Sequence, residues 1–167
     1  MDLETFREYC LKKPHATEGT PFGEDVLVFK VGGKMFALTS LDEIPATVNL
    51  KCDPDRALEL SQRAVSLAPV KGTYQNTLGV CLYRLERYKE AITAFEKSLT
   101  AGKGQLDGYD LFFMAMCWAR LDEPERAREC LDRAQKWQGT TKLTAHEIEE
   151  LKLIGHEAET VLHEQRG

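Results

Sequence analysis

Along the first fifty residues the apolar positions change period twice. Leu3, Phe6, Tyr9, Cys10 and Leu11 recur at the three-to-four spacing of one helix face, which predicts an amphipathic helix over 2–12, ended before Pro14. The next stretch, HATEGTPFG, carries Gly19, Pro21 and Gly23 and reads as a loop. From Val26 the period falls to two: Val26, Val28 and Lys30 alternate with Leu27, Phe29 and Val31, Gly32-Gly33 permits a tight turn, and Met35 to Leu38 continue the pattern. That predicts a β-hairpin, and a third strand over 46–51 leads into the next helix.

Asp53 to Pro69 is the stretch on which both halves of the chain depend. Asp53 suits a helix N-cap, Pro54 fits the first turn and Pro69 ends the run. Leu58, Leu60, Ala64, Val65 and Leu67 spread apolar surface around more than one stripe, as expected of a helix buried on two sides. Beyond it the pattern repeats. Ala57, Ala91 and Ala127 are separated by 34 and 36 residues, and Ala64, Ser98 and Ala134 follow each by seven. Leu78-Gly79 and Met114-Ala115 supply small residues where two helices must cross, and Phe95 and Leu131 fill the large position between. Two helix pairs follow, over 72–85 with 88–101 and over 107–121 with 123–137. Thr144–Glu164 should be a terminal capping helix, with Leu151, Ile154, Ala158, Val161 and Leu162 on its apolar side and its glutamates on a solvated face.

Two resemblances are carried by these residues. TEGTPFGEDVLVFKVGGKMFALTSLDE followed by VNLKCDPDRALEL resembles the N-terminal half of the MmcQ/YjbR family, small α+β proteins often described as having a DNA-binding-like fold. The likeness covers about residues 1–62, and the polar His, Asn, Lys and Trp segment of that family's second half has no counterpart here. LGVCLYRLERYKEAITAFEKSL and MAMCWARLDEPERARECLDRA are similar to the tetratricopeptide (TPR) repeat. The expected fold is an α+β segment of helix, three-stranded antiparallel sheet and helix over 1–69. It continues through the shared helix 53–69 into an all-α TPR solenoid over 53–167. Ser61 stands where the repeat wants a large residue, so that helix should have an unusual neighbour.

TPR arrays bind peptides in a groove lined by the first helix of each pair. Carried over, the resemblance implies a groove side of Asn76, Val80, Tyr83, Arg84, Tyr109, Phe112, Met116 and Arg120. The carboxylate-clamping Lys/Asn set of some family members is not reproduced. The patch is largely apolar, and packing against another part of the same chain is at least as good an explanation for it as a ligand.

The net charge of -5 argues against nucleic acid as a partner, although Lys30, Lys34 and Lys51 could form a small basic face. Met1 is followed by Asp2 and Glu4, and no apolar run approaches the ~20 residues of a membrane span, so a cytoplasmic protein is expected. Five cysteines without a C-x-x-C pair read as reduced thiols, three of them (Cys81, Cys117 and Cys130) within apolar helical patterns. His15 reads as a surface residue, and His146, His156 and His163 lack metal-ligand spacing. No phosphate loop, nucleophile elbow or metal cluster is present, so no enzyme, cofactor or metal is expected. One family likeness ends, and the other begins, inside a single helix. The preferred expectation is therefore an engineered chimeric scaffold, fused through that helix and without native activity. The alternative is a natural TPR adaptor that binds a peptide or protein in its groove. A nucleic-acid-binding protein is a weaker third.

Overall fold

The computed structural model describes residues 3–21, 23–41, 48–50 and 53–164. The chain divides into two compact units, Met1–Asp53 and Pro54–Gly167, each with its own core.

The first unit is a helix, α1 (Leu3–Leu11), and a four-stranded antiparallel meander of β1 (Ala16–Gly19), β2 (Val26–Val31), β3 (Lys34–Ser40) and β4 (Val48–Leu50). The hairpin turns at Gly32 and Gly33 with φ of 57° and 78°, a conformation glycine adopts without steric cost. The sheet has one strand more than the pattern predicts. β1 lies in the stretch read as a loop and pairs Thr17 with Lys30 and Glu18 with Phe29. It is a polar strand, mostly exposed, so no period of apolar residues announces it. Backbone pairing to β2 holds it, together with a bidentate ion pair in which the Arg7 guanidinium donates to Glu18, Nε to Oε2 at 2.7 Å. The core is small: Phe6 of α1 meets Phe29 edge-on, with ring centroids 5.6 Å apart, beside Cys10 and Ala37. The expected third strand appears as β4, and its flanks at 46, 47 and 51 lie outside the described residues.

The second unit is helical throughout: α2 (Pro54–Leu67), α3 (Gly72–Arg84), α4 (Tyr88–Gly102), α5 (Asp107–Arg120), α6 (Pro124–Thr140) and α7 (Ala145–Glu164). Each of these spans lies within three residues of its expected bounds. α2 packs on α3, and Ser61, whose Oγ donates to the Leu58 carbonyl at 2.9 Å, is its one buried residue. Leu60 and Leu67 are exposed, so the expectation of burial on two sides is corrected to one packed side within this unit.

α3 and α4 form one antiparallel hairpin, and α5 and α6 a second. Both close in the same way. Glu86 and Asp122 take φ of 60°, and their N–H groups bond the Tyr83 and Ala119 carbonyls. The next residues, Arg87 and Glu123, reach back to Leu82 and Trp118, each at 2.9 Å. That is the paired closure of a Schellman motif, formed twice at a separation of 36 residues. Of the repeated small positions, Ala91, Ser98, Ala127 and Ala134 have no exposed surface, whereas Ala57 and Ala64 of α2 are only half-buried.

Gly79 shows why the small residues are needed. A Cβ there would lie 2.5 Å from the Phe95 ring, and Phe95 is itself stacked on Phe113 with centroids 5.7 Å apart. The ring has nowhere to go. Gly79→Ala is therefore expected to cost about 1–3 kcal/mol in urea unfolding, from overpacking. Gly102→Ala, where an added Cβ meets nothing within 4 Å, should change stability by less than about 0.5 kcal/mol. Equal stabilities for the two variants would contradict this packing.

Candidate functional site

The eight groove residues predicted from the repeat do come together, but they do not line an open groove. α5 is enclosed by α4, α6 and α7, and every residue from Asp110 to Cys117 is buried. Phe112 and Met116 are core residues, and Tyr83 is nearly so, its hydroxyl donating to the Met116 sulfur at 3.4 Å. Val80 is half-buried against the same core.

What covers this face is α7. Its principal neighbour is α5 rather than α6, the helix that precedes it in the chain. Leu151 and Ala158 are fully buried, Val161 nearly so, and Ile154 and Leu162 are half-buried against the same core. The spacing of Leu151, Ile154, Ala158 and Val161 is three, four, three, which is the seam of a heptad repeat. Gly155 brings the two helices close: a Cβ there would sit 3.3 Å from the Phe112 ring.

Beside the seam runs a row of carboxylates. Glu150, Glu157 and Glu164 recur every seven residues, and each meets a predicted groove residue. The Tyr109 hydroxyl donates to Glu150 at 3.1 Å, Arg84 donates twice to Glu157 at 2.8 and 3.2 Å, and Arg120 donates to Glu164 at 3.2 Å. Arg84 also lies over the Tyr83 ring, 5.4 Å from its centroid. Burial raises the Tyr109 phenol well above its usual pKa and the Glu150 carboxylate raises it further, so Tyr109 stays a donor at any physiological pH. Glu150 and Glu157 were expected on a solvated face, and their contacts are indeed exposed; the structure adds the partners that meet them and Glu164 across the seam. The relative energies follow from exposure. Fully burying a leucine such as Leu151 is worth about 1.5–3 kcal/mol, and an exposed ion pair about 0.2–1 kcal/mol. The apolar seam holds α7 in place, and the acidic row sets its register.

The remaining predicted residue, Asn76, serves another purpose. Its Nδ2 donates at 2.9 Å to Oδ1 of Asp110, a carboxylate with no exposed surface that sequence reasoning missed. The Ser98 hydroxyl lies close by, but its proton goes to the Gly72 carbonyl at 3.1 Å, so Asp110 Oδ2 has no donor of its own. Burial is the largest influence and lifts the carboxyl to about 6; the Asn76 hydrogen bond opposes the rise and Asp107 adds to it. A residue at seven-residue spacing from Tyr83 or Met116 would not single out Asp110. The available signal is one acid directly ahead of nine apolar residues, Leu111 to Ala119.

Cys117 and Cys130 are buried within this unit, and burial pushes the Cys117 thiol up to about 12, which keeps it protonated and inert. Among the described residues no group of three His, Cys, Asp or Glu side chains is placed to hold a metal ion. Nor is any described helix long and apolar enough to cross a membrane. His15 is exposed with φ of 59°, Lys30 is half-buried and Lys34 exposed, while Lys51 lies outside the described residues.

A family model described as YjbR matches residues 11–134, well over half of the chain. The chain belongs to the YjbR family. The matched span begins at the end of α1 and runs through the sheet into α6, beyond residue 62, where the recognisable YjbR motifs stop. YbdF of Escherichia coli O157:H7, described as an uncharacterized protein, is 36% identical over 91 residues, covering 53% of this chain and 72% of YbdF. Among solved structures, PcrH in complex with the chaperone binding region of PopD is similar at a TM-score of 0.54 and 17% identity, over 68% of this chain and 78% of that one. At that identity the likeness is one of fold.

Asp110 makes the helical unit sensitive to pH in a defined direction. Its folded pKa of about 6 lies above the ordinary value of 3.8, so the folded state holds the proton where the unfolded chain has lost it. The stability tied to that proton is fully present below about pH 4, is lost as pH rises to about 6, and stays lost above. The loss amounts to about 3 kcal/mol. Asp110→Asn keeps the acceptor for Asn76 and supplies a donor toward Ser98. The variant should be the more stable protein at pH 7.5, and its advantage should shrink between pH 6 and 4. Parallel stability curves for the two proteins across that range would rule Asp110 out as the titrating group.

Proposed function

We propose that the helical unit, read as TPR-like, is a protein-interaction module that recognises a partner helix along the face of α3 and α5. One observation carries the reading: this face already takes an amphipathic helix, with an apolar seam seated on Phe112 and a donor row of Tyr109, Arg84 and Arg120 at its rim. Recognition of this kind divides the work between apolar anchors, which supply affinity, and rim charges, which set orientation and register. The fold likeness to PcrH, whose structure holds the chaperone binding region of PopD, supports the reading. No catalytic role is proposed for either unit.

Polar substitution of Phe112 or Met116 cannot test this, because both are core residues and their loss would unfold the protein. Arg84 and Arg120 are exposed and can be changed without opening the core. In fluorescence-anisotropy titrations the intact chain should bind amphipathic helical peptides that carry acidic flanks. The Arg84→Ala, Arg120→Ala double variant, with unaltered circular dichroism, should lose the at least about ten-fold preference that the wild-type chain shows for the acidic-flanked peptide over its glutamine analogue. A wild-type chain that takes no such peptide at millimolar concentration, and whose variants differ in stability alone, would instead be the inert fused scaffold.

A further inference from the structure

We propose that α7 is an exchangeable, autoinhibitory occupant of this face, and that the partner displacing it is an amphipathic helix with an apolar heptad seam flanked by acidic residues every seventh position. The proposal rests on the helix-binding reading above and names its partner class and its regulation. Three features of α7 carry it.

The first is its start. Thr144 and Glu147 form a reciprocal capping box: the Thr144 N–H donates to Glu147 Oε2 at 2.7 Å, and the Glu147 N–H donates to Thr144 Oγ1 at 3.3 Å. The helix is thus initiated by its own residues and not by the surface it covers. The second is its attachment. Thr141 to Thr144 is a short connection, and α7 packs on α5 while neither helix hairpin is paired through it: α3 pairs with α4 and α5 with α6. The third is chemical complementarity. Over its length α7 carries six glutamates against one lysine, while the rim it meets offers Arg84, Arg120 and the Tyr109 hydroxyl. A helix that is basic, or acidic at another period, would leave those donors unmatched. Tethering gives α7 the advantage of high effective concentration, so a partner in trans must overcome a competitor that is always present. Loosening α7 should therefore raise affinity for a helix of the same pattern.

The probe is a fluorescent synthetic peptide of residues Thr144 to Glu164, titrated into three intact proteins: wild type, the α7 variant Glu157→Lys, Glu164→Lys, and the rim variant Arg84→Ala, Arg120→Ala. Reversing the two α7 charges sets them against Arg84 and Arg120 but leaves the receiving face unaltered. The α7 variant should bind the peptide about ten-fold more tightly than wild type, and a peptide with glutamine at 150, 157 and 164 should lose most of that gain. Equal affinity of wild type and the α7 variant would overturn the autoinhibitory role while leaving helix binding intact. Equal binding of the glutamate and glutamine peptides would overturn the acidic-heptad partner. No binding even to the α7 variant would remove the helix-binding reading itself. If light scattering instead shows the α7 variant pairing into a dimer that excludes the peptide, the occupant is a second copy's α7, and the assignment to a foreign helix fails.

Discussion

α5 is apolar on every side, and the helical unit is arranged around that constraint. A helix with nine consecutive apolar residues cannot leave a stripe facing water without exposing several large side chains at once. α6, its hairpin partner, and α4, from the neighbouring hairpin, cover two sides of it. The third side is closed by α7. Closing it buries Phe112 and Met116 completely. The candidate site and the core of the unit are thus the same surface, and anything that binds there must replace the contacts α7 makes.

Polar groups at this surface fall into two kinds with different consequences. Arg84, Arg120, Tyr109 and the glutamates of α7 sit at the rim, where water screens them and each contact is worth little; their value is in register. Asp110 sits buried between α3 and α5 with half of its carboxylate unmatched, where low dielectric makes the same charge costly. The rim can be rearranged at small cost, whereas the buried acid ties the stability of the α3 to α5 contact to pH.

The α+β unit stands on different physics. Its core is a few residues around Phe29, and its outermost strand is polar, held by ladder hydrogen bonds and the Arg7–Glu18 pair. Where the apolar pattern was strong, as at the Gly32-Gly33 hairpin, the elements were legible to within a residue or two. β1 was not, because a strand that buries almost nothing leaves no periodic trace in composition. The family match shows a second limit of motif reading: it runs to residue 134, long after short strings stop being recognisable.

From sequence alone came the helix pairs, the small residues at their crossings and the hairpin, all of which follow from local period and steric size, which a linear chain carries openly. The repeat resemblance implied that Tyr83, Phe112 and Met116 share one face, yet left open whether that face met solvent, a ligand or the chain itself. Only the tertiary structure decided it, because occupancy of a face depends on where α7 travels after Thr141, and no local pattern encodes that direction. The heptad of Glu150, Glu157 and Glu164 was present in the sequence throughout. Its exposure fits a solvated edge, but its pairing with Tyr109, Arg84 and Arg120 was not legible, since a charge's role is set by its partner and partners here lie 41 to 73 residues away along the chain.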